Sequence, residues 1–115
     1  MELDRSLVSG SMALLVMKLL EEQDMYGYQM IDTLKQRSDD TFRLKAGTLY
    51  PLLHGLEEKG LVSAYEREAA AGKPRRYYHL TEEGRAALAE KEASWKEYAR
   101  AVQRVLKGGL CCGEA

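Results

Sequence analysis

The first third of the chain contains two segments whose apolar positions follow a helical period. Apolar side chains are dense between residues 11 and 22, which predicts a largely buried helix with Ser9 or Ser11 as its N-terminal cap. A polar break follows, and residues 26 to 36 again place apolar side chains at helical spacing. The pattern therefore predicts two short helices at the start of the chain.

A third helix is predicted to begin near Ala46 and to end at Gly60. Its core face consists of Leu49, Leu52, Leu53 and Leu56. Where an ordinary solvated helix carries Lys, Glu, Gln and Ala, the opposite face has small and hydrogen-bonding groups, namely Gly47, Thr48, Tyr50, Pro51 and His54. Pro51 has no amide hydrogen, so the helix should start late, near Gly47 or Thr48, to keep it in the first turn. Such a face suits close approach to a groove.

Two segments of alternating polarity follow, at residues 62 to 67 and 75 to 80, and they predict two strands joined by a turn. The buried side of these strands should carry Val62, Ala64, Tyr78 and Leu80. The turn region holds three cations, which either form a solvated tip or grip phosphate, since Lys and Arg supply most phosphate contacts; they are Lys73, Arg75 and Arg76. The order helix, strand, basic turn, strand predicts a winged helix.

A long final helix is predicted from residue 81 to residue 106, with Thr81 as its cap and no proline inside. At helical rise it would extend about 39 Å. An apolar stripe runs along it, formed by Leu88, Trp95, Tyr98, Ala99, Val102, Val105 and Leu106. A small winged domain cannot cover this stripe, so the pattern predicts a two-fold homodimer through the last helix.

The predicted fold class is mainly α with a small two-stranded β-wing, arranged as a winged helix-turn-helix followed by a long C-terminal dimerisation helix. The length of 115 residues fits one domain. Its predicted parts are an N-terminal segment at residues 1 to 9, the winged helix-turn-helix at 10 to 80, the dimerisation helix at 81 to 107 and a flexible tail at 108 to 115.

Charge is balanced over the whole chain but not along it. With 17 basic and 18 acidic residues, net charge gives no sign of nucleic-acid binding. Residues 1 to 32 carry two basic and six acidic groups, whereas residues 33 to 80 carry nine basic and six acidic groups. The positive excess therefore coincides with the predicted winged helix. No apolar run reaches the roughly 20 residues of a membrane span and no signal peptide is evident, so we expect a cytoplasmic protein.

The sequence contains few of the patterns that indicate catalysis. It has no Gly-rich phosphate loop and no recognisable pair of catalytic carboxylates, and its two histidines are far apart. The sequence therefore predicts no enzymatic activity, no cofactor and no metal site. Cys111 and Cys112 are adjacent near the C-terminus and belong to the predicted tail. A redox or adventitious metal role is the alternative for these cysteines.

Five segments form a combination of motifs: residues 26 to 28 (Tyr-Gly-Tyr), 47 to 53 (Gly-Thr-Leu-Tyr-Pro-Leu-Leu), 56 to 61 (Leu-Glu-Glu-Lys-Gly-Leu), 72 to 78 (Gly-Lys-Pro-Arg-Arg-Tyr-Tyr) and 80 to 84 (Leu-Thr-Glu-Glu-Gly). Together they resemble the PadR family of bacterial transcriptional regulators over roughly residues 10 to 106. The single C-terminal helix is similar to the smaller of the family's two main groups, which includes multidrug-sensing repressors. The resemblance implies a homodimeric winged helix-turn-helix repressor on a palindromic double-stranded DNA operator.

Carried onto matching positions, the resemblance implies major-groove contacts by Thr48, Tyr50, Pro51 and His54, and backbone or minor-groove contacts by Lys73, Arg75 and Arg76. For His54, an ordinary buried or solvated histidine is the alternative. The family often has a basic residue at the position of Gly55, so here a phosphate contact is missing or the helix approaches DNA more closely. A second function stays open, a winged-helix module that docks another protein without DNA, because the net charge is near zero and the first helix is acidic.

Trp95 lies 14 residues after Thr81, and the multidrug-sensing branch is similar in carrying a tryptophan there that stacks on flat aromatic ligands. The resemblance implies a planar aromatic small molecule that relieves repression. The alternative is that Trp95 only fills the dimer seam, since aromatic side chains contribute strongly to interfaces in any case.

Overall fold

The computed structural model describes residues 5 to 68 and 72 to 108, with side chains from residue 11 onward. The described residues form four helices and three strands, in the order α1 (Arg5–Glu22), β1 (Met25–Tyr26), α2 (Gly27–Arg37), α3 (Ala46–Glu58), β2 (Val62–Glu68), β3 (Pro74–Leu80) and α4 (Glu82–Leu106). The predicted class, a mainly helical winged helix, is confirmed. Cys111, Cys112 and the rest of the predicted tail from residue 109 on lie outside the described residues.

Within the described part of the chain, the wing belongs to a sheet of three strands. The strands are ordered β1-β3-β2, and both pairings are antiparallel. In the hairpin, Val62 pairs with Leu80 and Glu68 pairs with Pro74, while Met25 of β1 pairs with Tyr78. The prediction of a two-stranded wing missed β1, because a strand of two residues is too short to show a period of two.

α1 begins earlier than predicted, at Arg5, within the segment assigned to the N-terminus. Ser9 and Ser11 therefore lie inside the helix, and the prediction that one of them caps it is wrong. A Ser or Gly inside a helix costs at most about 1 kcal/mol relative to Ala. Burial of the apolar face that follows, where Val16 and Met17 are fully covered, outweighs this cost.

One hydrophobic core joins the helices to the sheet. Its members include Val16 and Leu20 of α1, Met30 of α2, Leu49 and Leu53 of α3, and Tyr78 and Leu80 of β3. The predicted inner side of the hairpin is confirmed, because Val62, Tyr78 and Leu80 are buried and Ala64 is half-buried. The core therefore fixes α3 and the wing in one rigid unit.

Leu88 also belongs to this core, with 1 % of its surface exposed, so the prediction that it lies in a dimer interface is wrong. The first turns of α4 lie against α1, where Lys18 and Glu92 form an ion pair of 3.3 Å. A seven-residue period reports which face of a helix is apolar, but not whether its own protomer covers that face. The uncovered part of the stripe begins at Trp95.

The start of α3 differs from the prediction. Lys45 is its N-terminal cap residue, and the Lys45 carbonyl accepts hydrogen bonds from the amides of Thr48 and Leu49 at 3.0 and 2.9 Å. The helix thus begins at Ala46, and Pro51 lies in the second turn instead of the first. Pro51 cannot donate to the carbonyl of Gly47. Because Gly47 is exposed, water can satisfy that carbonyl.

The end of α3 and the start of α4 are confirmed as predicted. Gly60 has a φ of 77°, and the amide of Leu61 donates to the Leu56 carbonyl at 2.9 Å, which is a glycine-terminated helix end. Thr81 Oγ1 accepts a hydrogen bond from the Gly84 amide at 3.0 Å and donates to the Gly60 carbonyl at 2.7 Å. Thr81 therefore caps α4 and joins it to the end of α3.

Candidate nucleic-acid interface

The outer face of α3 is exposed, as the sequence predicts. Gly47, Thr48, Pro51 and His54 are all exposed. Gly55 is half-buried, yet a Cβ atom added there would meet no atom within 4 Å. Packing therefore does not require glycine at this position, and a side chain would project from the helix surface.

Tyr50 departs from this exposed face. It is half-buried, and its phenol lies against the first residue of α2, since a Cβ atom on Gly27 would be 2.1 Å from the Tyr50 hydroxyl. Burial raises the pKa of Tyr50. The ring thus occupies the space that a side chain on Gly27 would need. Tyr50 fixes α3 against α2, and its direct contact with DNA stays a prediction.

The predicted cations of the wing have different surroundings. Lys73 is exposed. The guanidinium carbon of Arg75 lies 4.5 Å from the ring centroid of Tyr26, and Arg75 Nε is buried with no hydrogen-bond partner among the described residues. Arg76 Nη2 instead lies 3.4 Å from a carboxylate oxygen of Glu57 in α3. Lys73 and Arg75 thus have no acidic partner among the residues described, whereas Arg76 links the wing to α3.

Arg67 is a further cation of the wing, and it was not among the predicted site residues. The register of the hairpin places Arg67 directly opposite Arg75. Its guanidinium carbon lies 4.0 Å from the ring centroid of Tyr77. Like charges at paired positions repel each other, so this arrangement is favourable when an anion binds between them. The missing signal was the hairpin register, which puts Arg67 and Arg75 on one face.

The apolar stripe of α4 is uncovered from its middle onward. The exposed fractions of Trp95, Tyr98, Val105 and Leu106 are 50 %, 65 %, 78 % and 74 %. Ala99 and Val102 are half-buried. Trp95 also borders an open groove of about 790 Å³ between α1 and α4, whose lining includes Ser11, Leu14, Ala87, Lys91 and Tyr98. The C-terminal half of α4 therefore presents an apolar face without a partner in this protomer.

The described ranges, residues 5 to 68 and 72 to 108, contain no group of three or more His, Cys, Asp or Glu side chains that could hold a metal ion. Their helices include none that is long and apolar enough to cross a membrane. The exposed face of α3, the wing and the stripe on α4 are thus the candidate sites.

This chain is similar to known proteins in both sequence and fold. A sequence relative is the transcriptional regulator Rv3488 of Mycobacterium tuberculosis, which is 46 % identical over 61 residues; these cover 53 % of this chain and 56 % of that protein. The fold is similar to the crystal structure of a PadR family transcriptional regulator from Eggerthella lenta, with 34 % identity, a TM-score of 0.79 and coverage of 90 % of this chain and 88 % of that one.

A second similar structure is that of a PadR family transcription regulator from Clostridium difficile, with 32 % identity, a TM-score of 0.74 and coverage of 84 % of this chain and 98 % of that one. The model of the transcriptional regulator PadR-like family matches residues 16 to 90, well over half of the sequence. The exposed α3 and the wing lie within that match. This chain therefore belongs to the PadR-like family of transcriptional regulators.

Proposed function

We propose that the chain is a repressor that binds a palindromic operator as a homodimer, with α3 in the major groove and the wing on the sugar-phosphate backbone or in the minor groove. The main support for this proposal is that the exposed face of α3 belongs to the same rigid unit as Lys73 and Arg75. These two cations have no acidic partner among the residues described. Cations without an acidic partner are available to phosphate, and phosphate contacts position a protein on DNA. Base reading then falls to Thr48, Pro51 and His54.

The homodimer is supported by the exposed apolar side chains of α4 and by the shape of the protomer. Its principal extents are 63, 32 and 21 Å, so the C-terminal half of α4 projects beyond the core. A second copy that packs its own α4 on this stripe would cover both. Such a dimer matches a palindromic operator if its two α3 helices lie about 34 to 36 Å apart.

Relief of repression by a planar aromatic small molecule is supported by Trp95 and the adjacent groove. Half of the Trp95 surface is exposed, and the ring borders a groove that has room for a small molecule. A ligand regulates DNA binding only if it favours one dimer arrangement over another. α4 is the natural place for that coupling, because it would set the separation of the two wings.

The proposal is tested by measuring affinity across a salt series for two duplexes, the DNA upstream of the gene and a random sequence. Lys73→Gln and Arg75→Gln should each weaken binding to both duplexes and reduce the slope of log K against log salt by about one. His54→Ala should weaken binding to the upstream DNA alone. Arg76→Gln should have a smaller effect than Arg75→Gln, because Arg76 is already paired with Glu57.

The matched control is Arg104→Gln, which removes the same charge from the exposed surface of α4, far along the chain from the wing. Its salt slope should equal that of the wild type. Unchanged slopes in Lys73→Gln and Arg75→Gln would contradict the assignment of the wing to phosphate. A wild-type protein that binds neither duplex would favour the alternative, a module that docks another protein.

A further inference from the structure

A cluster of side chains on the outer face of the sheet has no part in the function proposed so far. Asp24 precedes β1, and its carboxylate accepts a hydrogen bond from the Tyr65 hydroxyl of β2 at 2.5 Å. The other carboxylate oxygen lies 2.9 Å from Nδ1 of His79 in β3. An ionised carboxylate can only accept, so His79 Nδ1 carries the proton. One carboxylate therefore joins the turn before β1 to both strands of the hairpin.

Asp24 is suited to this contact because it stays ionised. Its partial burial opposes ionisation, but the hydrogen bonds from Tyr65 and His79 outweigh that effect and hold the pKa of the carboxyl below its usual range. The bond to Asp24 in turn raises the pKa of the Tyr65 hydroxyl, which keeps its proton for donation. The contact is thus between groups in matching protonation states.

Aromatic rings continue this face toward the turn of the hairpin. Tyr65 stacks on Tyr77 with centroids 5.8 Å apart, and Tyr77 meets Tyr26 edge to face at 5.4 Å. Arg67 lies over the ring of Tyr77, and Arg75 lies over the ring of Tyr26. An unbroken series of contacts therefore runs from Asp24 to the two paired arginines.

We propose that Asp24 is a positioning residue for DNA binding, which holds β1 and the hairpin together so that Arg67 and Arg75 face phosphate from one aromatic layer. The inference rests on the proposed function, because it concerns the same contact between wing and DNA. Tyr26 is the central link, since it is the cap residue of α2 and also the platform for Arg75. A shift of β1 would therefore move both the start of α2 and the ring on which Arg75 lies.

Charge alone and positioning predict opposite changes in DNA affinity when Asp24 is neutralised. Asp24 is an anion close enough to Arg67 to interact with it, so removing its charge would by itself strengthen binding to DNA. Loss of its positioning contacts would weaken binding. The direction of the change therefore separates the two effects.

The experiment measures the affinity of the full chain for random-sequence duplex DNA over a salt series. Asp24→Asn should bind about three- to tenfold more weakly than the wild type, despite the loss of a negative charge. The matched control Glu68→Gln removes an exposed wing carboxylate outside the Asp24 contacts, and it should bind as tightly as the wild type or more tightly. Equal or tighter binding by Asp24→Asn would overturn the proposal.

Tyr65→Phe keeps the stacked ring and the net charge, and it guards against misfolding of Asp24→Asn. It should weaken DNA binding in the wild-type background but add nothing in a background that carries both Arg67→Gln and Arg75→Gln, because Tyr65 acts through these two arginines. A merely structural role would give an equal loss in both backgrounds and would overturn the proposal. A wild-type chain without salt-dependent binding would overturn the proposed function as well, whereas a binding wild type with unaffected variants would overturn this inference alone.

Discussion

At the scale of single residues, two glycines in helices have different reasons to be glycine. A Cβ atom on Gly84 would lie 2.1 Å from the carbonyl oxygen of Leu61, so the start of α4 can approach the end of α3 only without a side chain there. A Cβ atom on Gly55 would meet nothing within 4 Å. Packing thus explains why residue 84 is glycine. At residue 55 packing gives no such reason, so the explanation must lie in the surface that Gly55 helps to form.

This difference predicts opposite effects of the same substitution. Gly84→Ala should lower the free energy of unfolding by about 1 to 3 kcal/mol, because the added methyl forces the backbone of Leu61 away. Gly55→Ala should raise it by about 0.5 to 1 kcal/mol, since alanine restricts the unfolded chain and favours the helix. Urea denaturation at one fixed protein concentration measures both. A stabilised Gly84→Ala variant would contradict the close approach of α4.

Residue contacts that depend on tertiary structure were not readable from the sequence. The helical angle of Tyr50 predicts that it lies on the outer face of α3. Its ring instead packs against Gly27, because the missing side chain of Gly27 leaves space for it between α2 and α3. Arg67 was passed over because its neighbour across the hairpin, Arg75, is defined by strand register. Residues whose surroundings come from their own element, such as Thr81 and Gly60, were predicted correctly.

At the scale of elements, segments long enough to show a period were predicted and short ones were not. α3, the hairpin and α4 each carry several repeats of their pattern, and all three occur close to the predicted bounds. β1 has two residues and is held by its pairing with β3, so nothing in its own sequence marks it. The predicted interface therefore includes α3 and the hairpin but lacks β1, the strand that carries Tyr26 beneath Arg75.

The role proposed for α4 as the ligand-responsive element can be tested through its tryptophan. Trp95 is the only tryptophan in the sequence and half of its surface is exposed, so its fluorescence reports on the groove between α1 and α4. Planar aromatic compounds should quench this emission and weaken binding to the upstream DNA over the same concentration range. Quenching with unchanged DNA affinity would show that the compounds bind near Trp95 but would contradict the proposal that they regulate DNA binding. Trp95→Leu should abolish the effect of the compound on DNA affinity.

At the scale of the whole molecule, the apolar pattern of α4 does not reveal which part of its stripe the protomer itself covers. Leu88 and Val105 belong to the same apolar stripe, yet Leu88 has 1 % of its surface exposed and Val105 has 78 %. The difference arises because α4 leaves the core after its first turns, which a helical period cannot reveal. The predicted interface is thereby shortened to Trp95, Tyr98, Ala99, Val102, Val105 and Leu106.

That shortened stripe predicts how the dimer can be broken without unfolding the protomer. Val105→Glu should raise the dissociation constant of the dimer by at least about 100-fold, because an unpaired carboxylate would be buried between the two helices. Ala93→Glu adds the same charge at an exposed position on the opposite side of α4, and it should leave the dimer intact. Light scattering after size exclusion measures both, and circular dichroism should show unchanged helicity. Since the proposed operator complex needs paired α3 helices, the monomeric variant should also lose affinity for the upstream DNA while it keeps the salt slope of a single wing. A Val105→Glu protein that remains dimeric would instead place the interface on the groove between α1 and α4.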